Sequence, residues 1–226
     1  MLKAKIIMTE LSHSSTKAIF FDHDDTLVGT IEAKFEQHKY IAKKWYGKDL
    51  SDQEIRLHWG KPLRELFGIL YETEDTDTAL NRVIEIHKNF PKLLFEDTIP
   101  TLENLHQAGI RLGLVTAASR FSLEHDLDDL AVPRGLFDFI QSEEDSEYHK
   151  PDPRVFTSAI TWLESQNILP GEVTYVGDGL HDAKAALGAG FNFIGVETGL
   201  VTHQQFLDAG HVSIDSLSKL IHKLQA

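Results

Sequence analysis

From Thr98 onward the 226-residue chain alternates short apolar runs with stretches of helical spacing. That is the pattern of repeated β-α units, whose natural assembly is a parallel sheet covered by helices. Apolar runs at 17–21, 111–115, 137–141, 173–176 and 191–196 predict strands, each followed by Gly, Asp, Thr, Ser or Glu. Helical spacing over 100–108, 121–130, 153–165, 182–189, 202–209 and 216–224 fills the gaps, several stretches opening on Ser, Thr, Asp or Pro. Residues 30–95 break the rhythm. There 31–46, 52–58, 62–70 and 78–90 carry helical spacing without a strand, punctuated by Gly47, Gly60 and Gly68. The expectation is an α/β fold, a Rossmann-like parallel core formed by 1–29 and 96–226, with a helical cap domain inserted over 30–95.

Parallel sheets bind ligands outside the carboxyl ends of their strands, so the residues just after each strand should share one chemistry. The first strand, within KAIFFDHDDTL, ends on Asp22 and Asp24, two residues apart and therefore able to face the same way while His23 points elsewhere. Two carboxylates held together repel each other, which makes a hard cation and an anionic substrate their natural occupants. After the second strand comes Thr116; before the 153–165 helix comes Lys150; after the fourth strand come Asp178 and Asp182. Carboxylates to hold Mg²⁺, with a hydroxyl, an ammonium and free N–H groups to hold phosphate oxygens, make a phosphoryl-transfer set.

Each of these residues has a blander reading. Thr116 and Ser119 alone are ordinary helix caps, and Lys150 alone is a solvated surface lysine. Asp25 reads best as a turn residue. Asp22 and Asp24 resist such a reading, because two uncompensated acids on one face are costly without a cation. Gly177 and Gly179 suggest a dinucleotide fingerprint with Glu197 about 20 residues on, but Asp182 occupies the place of the last glycine and would repel a pyrophosphate. A calcium loop starting at Asp22 fails at Leu27 and Ala33, where glycine and glutamate are required.

Taken together, DHDDT at Asp22–Thr26, LGLVT ending at Thr116, Lys150 in HKPDP and GDGLHD from Gly177 to Asp182 resemble the four ordered motifs of the haloacid dehalogenase superfamily, in its helical-cap phosphatase subgroup. Asp25 departs from the family's usual glycine, and Ala117 from its frequent asparagine; aspartate tolerates left-handed φ better than most residues. The resemblance implies that Asp22 is the nucleophile, forming an aspartyl phosphate, and that Asp24 is acid and then base. It implies Mg²⁺ held by Asp22, the Asp24 carbonyl and Asp178, phosphate oxygens held by Thr116 and Lys150, and Asp182 in support. The cap would act as a lid, with Lys43, Lys44, His58, Trp59, Lys61 and Arg64 facing the substrate's other end. Of these Lys61 and Arg64, in HWGKPLREL, are favoured by likeness to the cap loop of phosphoglycolate phosphatase-like members.

The implied activity is Mg²⁺-dependent hydrolysis of a small organic phosphate monoester. A phosphomutase of the β-phosphoglucomutase type shares every core residue; a noncatalytic phosphate-binding protein on the same fold is the alternative from another class. A dehalogenase would need neither Asp24 nor Asp178, and a phosphonate hydrolase would use a cap lysine such as Lys61 as a Schiff base. The partner is a small phosphorylated metabolite. A net charge of −13 opposes nucleic acid and anionic lipid, and no apolar run reaches membrane-spanning length. The first sixteen residues, MLKAKIIMTELSHSST, read as a loose leader rather than a secretory signal, and zero cysteines fit a cytoplasmic protein.

Overall fold

The structure, a computed structural model, describes residues 16–59 and 61–224. Gly60 and all of the expected leader except Thr16 lie outside the described residues. The chain separates into two compact units, one formed by residues up to Gly29 and from Leu94 onward, the other by Thr30–Leu93. Among the described residues no helix is long and apolar enough to cross a membrane.

The first unit begins with β1 (Ala18–Phe21) and the two-residue β2 (Val28–Gly29), and resumes at β3 (Leu93–Leu94). Then β4 (Arg111–Val115), β5 (Phe139–Gln141), β6 (Val173–Gly177), β7 (Asn192–Val196) and β8 (Ser213–Ile214) follow, separated mostly by helices. Six of these strands form one sheet in the order β5-β4-β1-β6-β7-β8, every pair parallel. The order reverses direction at β1, which lies between β4 and β6. The crevice at a reversal of this kind opens at the carboxyl ends of the strands, so the residues following β1, β4 and β6 meet there.

β1 is AIFF, buried along its whole length, as a central parallel strand covered on both faces must be. Its alternation divides the core. Ile19 and Phe21 pack with Leu102, Leu105, Leu114 and Leu123 on one face, and Ala18 and Phe20 with Phe156, Leu163, Tyr175 and Phe191 on the other. Phe20 stacks on Phe139 at 5.7 Å between ring centroids, and it lies over Gly113 so closely that a Cβ there would enter the ring.

The helical unit contains α1 (Ile31–Tyr46), α2 (Asp52–His58), α3 (Leu63–Tyr71) and α4 (Thr76–Ile86). α1 stops at Gly47, whose φ of 66° is the left-handed cap that glycine adopts without penalty. α2 begins with a capping box between Ser51 and Glu54. Phe35, Ile41, Ile55, Leu66, Phe67, Leu70 and Ala79 are among the buried apolar residues of this unit.

In the first unit the helices are α5 (Thr98–Gln107), α6 (Arg120–Asp129), α7 (Thr157–Ser165), α8 (Leu180–Gly188), α9 (His203–Asp208) and α10 (Leu220–Lys223). Several boundaries differ from the sequence expectation for local reasons. The helix expected over 153–165 opens as a 3₁₀ turn, Pro153–Phe156, capped by Asp152, whose carboxylate accepts the Arg154 N–H at 3.0 Å. The 216–224 stretch likewise starts as a 3₁₀ turn, Leu217–Lys219. α4 begins before residue 78 because the Asp75 carboxylate caps it through the Thr78 N–H.

Candidate active site

Asp22 is placed by the sheet itself: its N–H donates to the Val176 carbonyl at 2.9 Å, continuing the β1–β6 ladder past the last strand residue. One carboxylate oxygen accepts the His23 N–H at 2.8 Å, and the other meets the Lys150 ammonium at 2.9 Å. With both oxygens engaged, the plane of the carboxylate is fixed. The turn that follows is wound around His23, whose carbonyl accepts from the N–H groups of Thr26, Leu27 and Val28. Asp25 sits in it at φ 56°, the left-handed conformation for which the family uses glycine and which aspartate tolerates.

Lys150 reaches inward from the segment before the Pro153 turn, and its side chain is 2% exposed. Its ammonium is 2.6 Å from Asp182 Oδ1, 2.9 Å from Asp22 Oδ2 and 3.1 Å from the Tyr175 hydroxyl. Two carboxylates and one hydroxyl thus surround the single ammonium. Tyr175 in turn donates to the Val115 carbonyl at 2.6 Å, which ties the lysine to the tip of β4. Burial works against the charge on Lys150, but Asp182 and Asp22 outweigh it and hold the group firmly protonated. Asp182, buried in the first turn of α8, accepts the Gly179 N–H at 3.0 Å through Oδ2. Gly177 leaves room for it, since a Cβ there would strike the Asp182 side chain.

Asp178 follows β6 directly and is half-buried. Burial, then the negative charges of Asp182, Asp22 and Asp25, push its carboxyl well above the usual range. Gly199 walls it in, because any Cβ at that position would collide with the Asp178 carboxylate. Asp22 is pushed up as well, by burial first and by Asp182 and Asp24, against the pull of Lys150. The lysine is shared between two acids and so covers neither fully.

Thr116, at the end of β4, is buried and continues that ladder through its N–H to the Gln141 carbonyl at 3.1 Å. Its hydroxyl accepts the Ala118 N–H at 3.0 Å, and it lines a small hollow together with Ser142, Tyr148 and Lys150. Asp24 is half-buried, and its carboxylate lies in a group with the His23 ring and Asp126, one ligand atom of each within 4.8 Å of the others. The structure therefore brings Asp22, Lys150 and Asp182 into contact, with Asp178 near enough for strong repulsion. Lys61 and Arg64 belong to the helical unit, where both are exposed. There Lys61 pairs with Glu65 at 2.5 Å and Arg64 with Asp77 at 2.6 Å.

Sequence reasoning missed Tyr175, His181 and Gly199. A tyrosine inside the otherwise apolar strand VTYVG was the available signal for the first. His181 Nε2 lies 3.7 Å from Asp182; nothing in the letters marks it or Gly199. Chemically, the set offers Asp22 and Asp178 oxygens crowded in a poorly solvated place with one shared ammonium to balance them. Carboxyl pKa values raised by burial first and by neighbouring carboxylates next fit a hard cation with oxygen ligands, and Asp22 and Asp178 would hold it.

A family model of haloacid dehalogenase-like hydrolases matches residues 19–196, which span β1 through β7. Pyrophosphatase PpaX from Bacillus velezensis is 30% identical over 182 residues, covering 79% of this chain and 82% of that protein. A solved structure described as a haloacid dehalogenase-like hydrolase from Bacteroides fragilis aligns with a TM-score of 0.76 at 30% identity, covering 91% of this chain and 99% of that one. A second, described as a β-phosphoglucomutase from Thermotoga maritima, aligns with a TM-score of 0.76 at 26% identity over 93% and 99% of the two chains. The motif order, the parallel sheet reversing at β1 and these likenesses agree: the chain belongs to the haloacid dehalogenase-like hydrolase family and is an enzyme of that family.

Proposed function

We propose that this enzyme is a Mg²⁺-dependent phosphatase that hydrolyses a small phosphorylated metabolite through an aspartyl phosphate on Asp22. The observation that carries the reading is the buried Lys150 ammonium held between Asp22 and Asp182. A lysine this deeply buried serves best where a multiply charged anion must be drawn in beside carboxylates. When bound, Mg²⁺ would lie with Asp22, Asp178 and the Asp24 carbonyl and supply the charge that lets a phosphate dianion approach these acids.

In the first step an Asp22 oxygen bonds to phosphorus in line as the bond from phosphorus to the leaving oxygen breaks. Asp24, protonated, gives its proton to that oxygen. In the second step Asp24 takes a proton from water as the water oxygen bonds to phosphorus; the bond to Asp22 breaks, and free phosphate leaves. Lys150 exchanges its Asp22 contact for an equatorial phosphate oxygen, Thr116 holds another, and Asp182 keeps the ammonium in place. To the helical unit, Thr30–Leu93, we assign the choice of the non-phosphate part, with Lys61 and Arg64 as contacts once released from Glu65 and Asp77.

The test is phosphate release from a panel with Mg²⁺: p-nitrophenyl phosphate, phosphoglycolate, sugar phosphates and, given the PpaX likeness, pyrophosphate. Turnover should be abolished by chelation and reduced at least about 1,000-fold by Asp22→Asn. Absence of turnover across the panel, or full activity in Asp22→Asn, refutes the reading. The likeness to a β-phosphoglucomutase favours one second reading, in which a sugar hydroxyl replaces water as acceptor. Product analysis with hexose phosphates separates isomerisation from phosphate release.

A further inference from the structure

His23, between the two acids, has the sequence expectation of pointing away from the site, yet it is not a passive spacer. Its ring is fully buried, and Nε2 lies 2.9 Å from Asp126 Oδ2 on α6. Nδ1 is buried with no hydrogen-bond partner among the described residues. A buried imidazole with one nitrogen unsatisfied costs free energy, so an apolar residue would serve better if filling space were all that position required. The backbone of His23 is the hub of the turn, its N–H on Asp22 and its carbonyl receiving the Thr26, Leu27 and Val28 N–H groups. Anchoring the ring to α6 therefore fixes the rotation of the peptide that carries both acids, and Asp24's carboxylate lies beside this anchor.

We propose that the His23–Asp126 pair is a positioning device for Asp24, holding its carboxyl where it protonates the departing oxygen. The inference rests on the phosphatase reading and adds to it a ring inside the first motif and a carboxylate, Asp126, that lies outside all four motifs. α6 follows the strand that ends in Thr116, so the same anchor couples the orientation of the acid to the element beside the phosphate-binding hydroxyl. His23 and Asp126 touch no substrate; they act through Asp24.

The readout is dependence on the leaving group. p-Nitrophenolate departs without a proton, whereas phenolate from phenyl phosphate depends on one, and the two esters have nearly the same shape. Because kcat/KM reports steps up to departure of the leaving group, a misplaced Asp24 must penalise phenyl phosphate selectively. His23→Leu and Asp126→Ala are expected to lower kcat/KM for phenyl phosphate about 10- to 100-fold and for p-nitrophenyl phosphate by no more than about threefold. Asp126→Asn, whose amide oxygen still accepts from Nε2–H, should restore most of the loss. A part that merely braced the fold would slow both esters alike, and such parallel loss, or no loss, overturns the proposal. Should His23→Leu fail to fold by circular dichroism, the Asp126→Ala and Asp126→Asn pair decides, since Asp126 is partly exposed. Inactivity of the wild type across the whole phosphate panel, both aryl esters included, would instead sink the phosphatase reading, and this inference with it.

Discussion

Mild acid should destabilise the helical unit through one residue, His38 on α1. Its ring is 4% exposed and sits among Trp59, Phe67 and Tyr71, with Nδ1 2.6 Å from the Tyr71 hydroxyl. Burial, aided by the Lys34 ammonium, pushes its pKa from 6.5 down to about 4. The folded ring is therefore neutral at pH 7, its Nδ1 accepting the Tyr71 O–H. In the unfolded chain the imidazole takes up a proton as pH falls through 6.5; in the folded chain it does so only near 4. Stability from this group is complete above 6.5, declines across that window and is gone below about 4. At about 1.4 kcal/mol per pH unit the full loss is about 3 kcal/mol, of which about 2 kcal/mol has gone by pH 5. Urea unfolding followed by tryptophan fluorescence reads it, since Trp59 lies 6.2 Å from the His38 ring. His38→Gln keeps an acceptor for Tyr71 and does not titrate, so the wild-type curve minus the variant curve isolates His38 from the carboxylates. Parallel pH profiles for the two proteins would refute the reasoning.

Asp178→Asn should stabilise the protein at pH 7 in EDTA. A carboxyl raised by burial and by Asp182, Asp22 and Asp25 imposes no cost at low pH and a cost that grows as pH rises from the ordinary carboxylate range of about 3.8 up to its folded pKa, and stays constant above it. A gain of about 2–4 °C in Tm, the size that about 1 kcal/mol produces in a chain of this length, is expected; a lower Tm contradicts it. With saturating Mg²⁺ the order should reverse, because wild type gains about 2.7 kcal/mol at a hundredfold excess over Kd and the variant little. Gly199→Ala should weaken Mg²⁺ binding about 10- to 100-fold by displacing the Asp178 carboxylate, with circular dichroism unchanged. Calorimetric titration returning the wild-type Kd would show that Gly199 is an ordinary loop residue.

Much of this was legible in the letters because local signals agreed. Ile31–Tyr46, Asp52–His58 and Arg111–Val115 appear as expected: the first stops at a glycine, the second starts in a capping box, and the third is a plain apolar run. The strand-end residues Asp22, Thr116 and Asp178 were readable because a parallel sheet brings the carboxyl ends of all its strands to one edge. β2, β3 and β8 were not, each being a two-residue strand too short for periodicity to show. The tie between His23 and Asp126 spans 103 residues, and the Tyr175 bridge from Lys150 to Val115 depends on two strands lying apart in sequence but close in the sheet. Spacing rules address neighbours along the chain; such partnerships arise only once the sheet order is set.

That sheet order also dictates when the enzyme can exist during its own synthesis. β1 lies between β4 and β6, so the ribosome delivers the central strand early and its second neighbour only after residue 172 has been added. A nascent chain at that stage displays Asp22 without Asp178 or Asp182. The acids that crowd one another at the sheet's carboxyl edge thereby come together only once translation is well advanced. The same delay leaves one border of a wholly apolar strand uncovered, a tract that chaperones must shield from other polypeptides in the crowded cell.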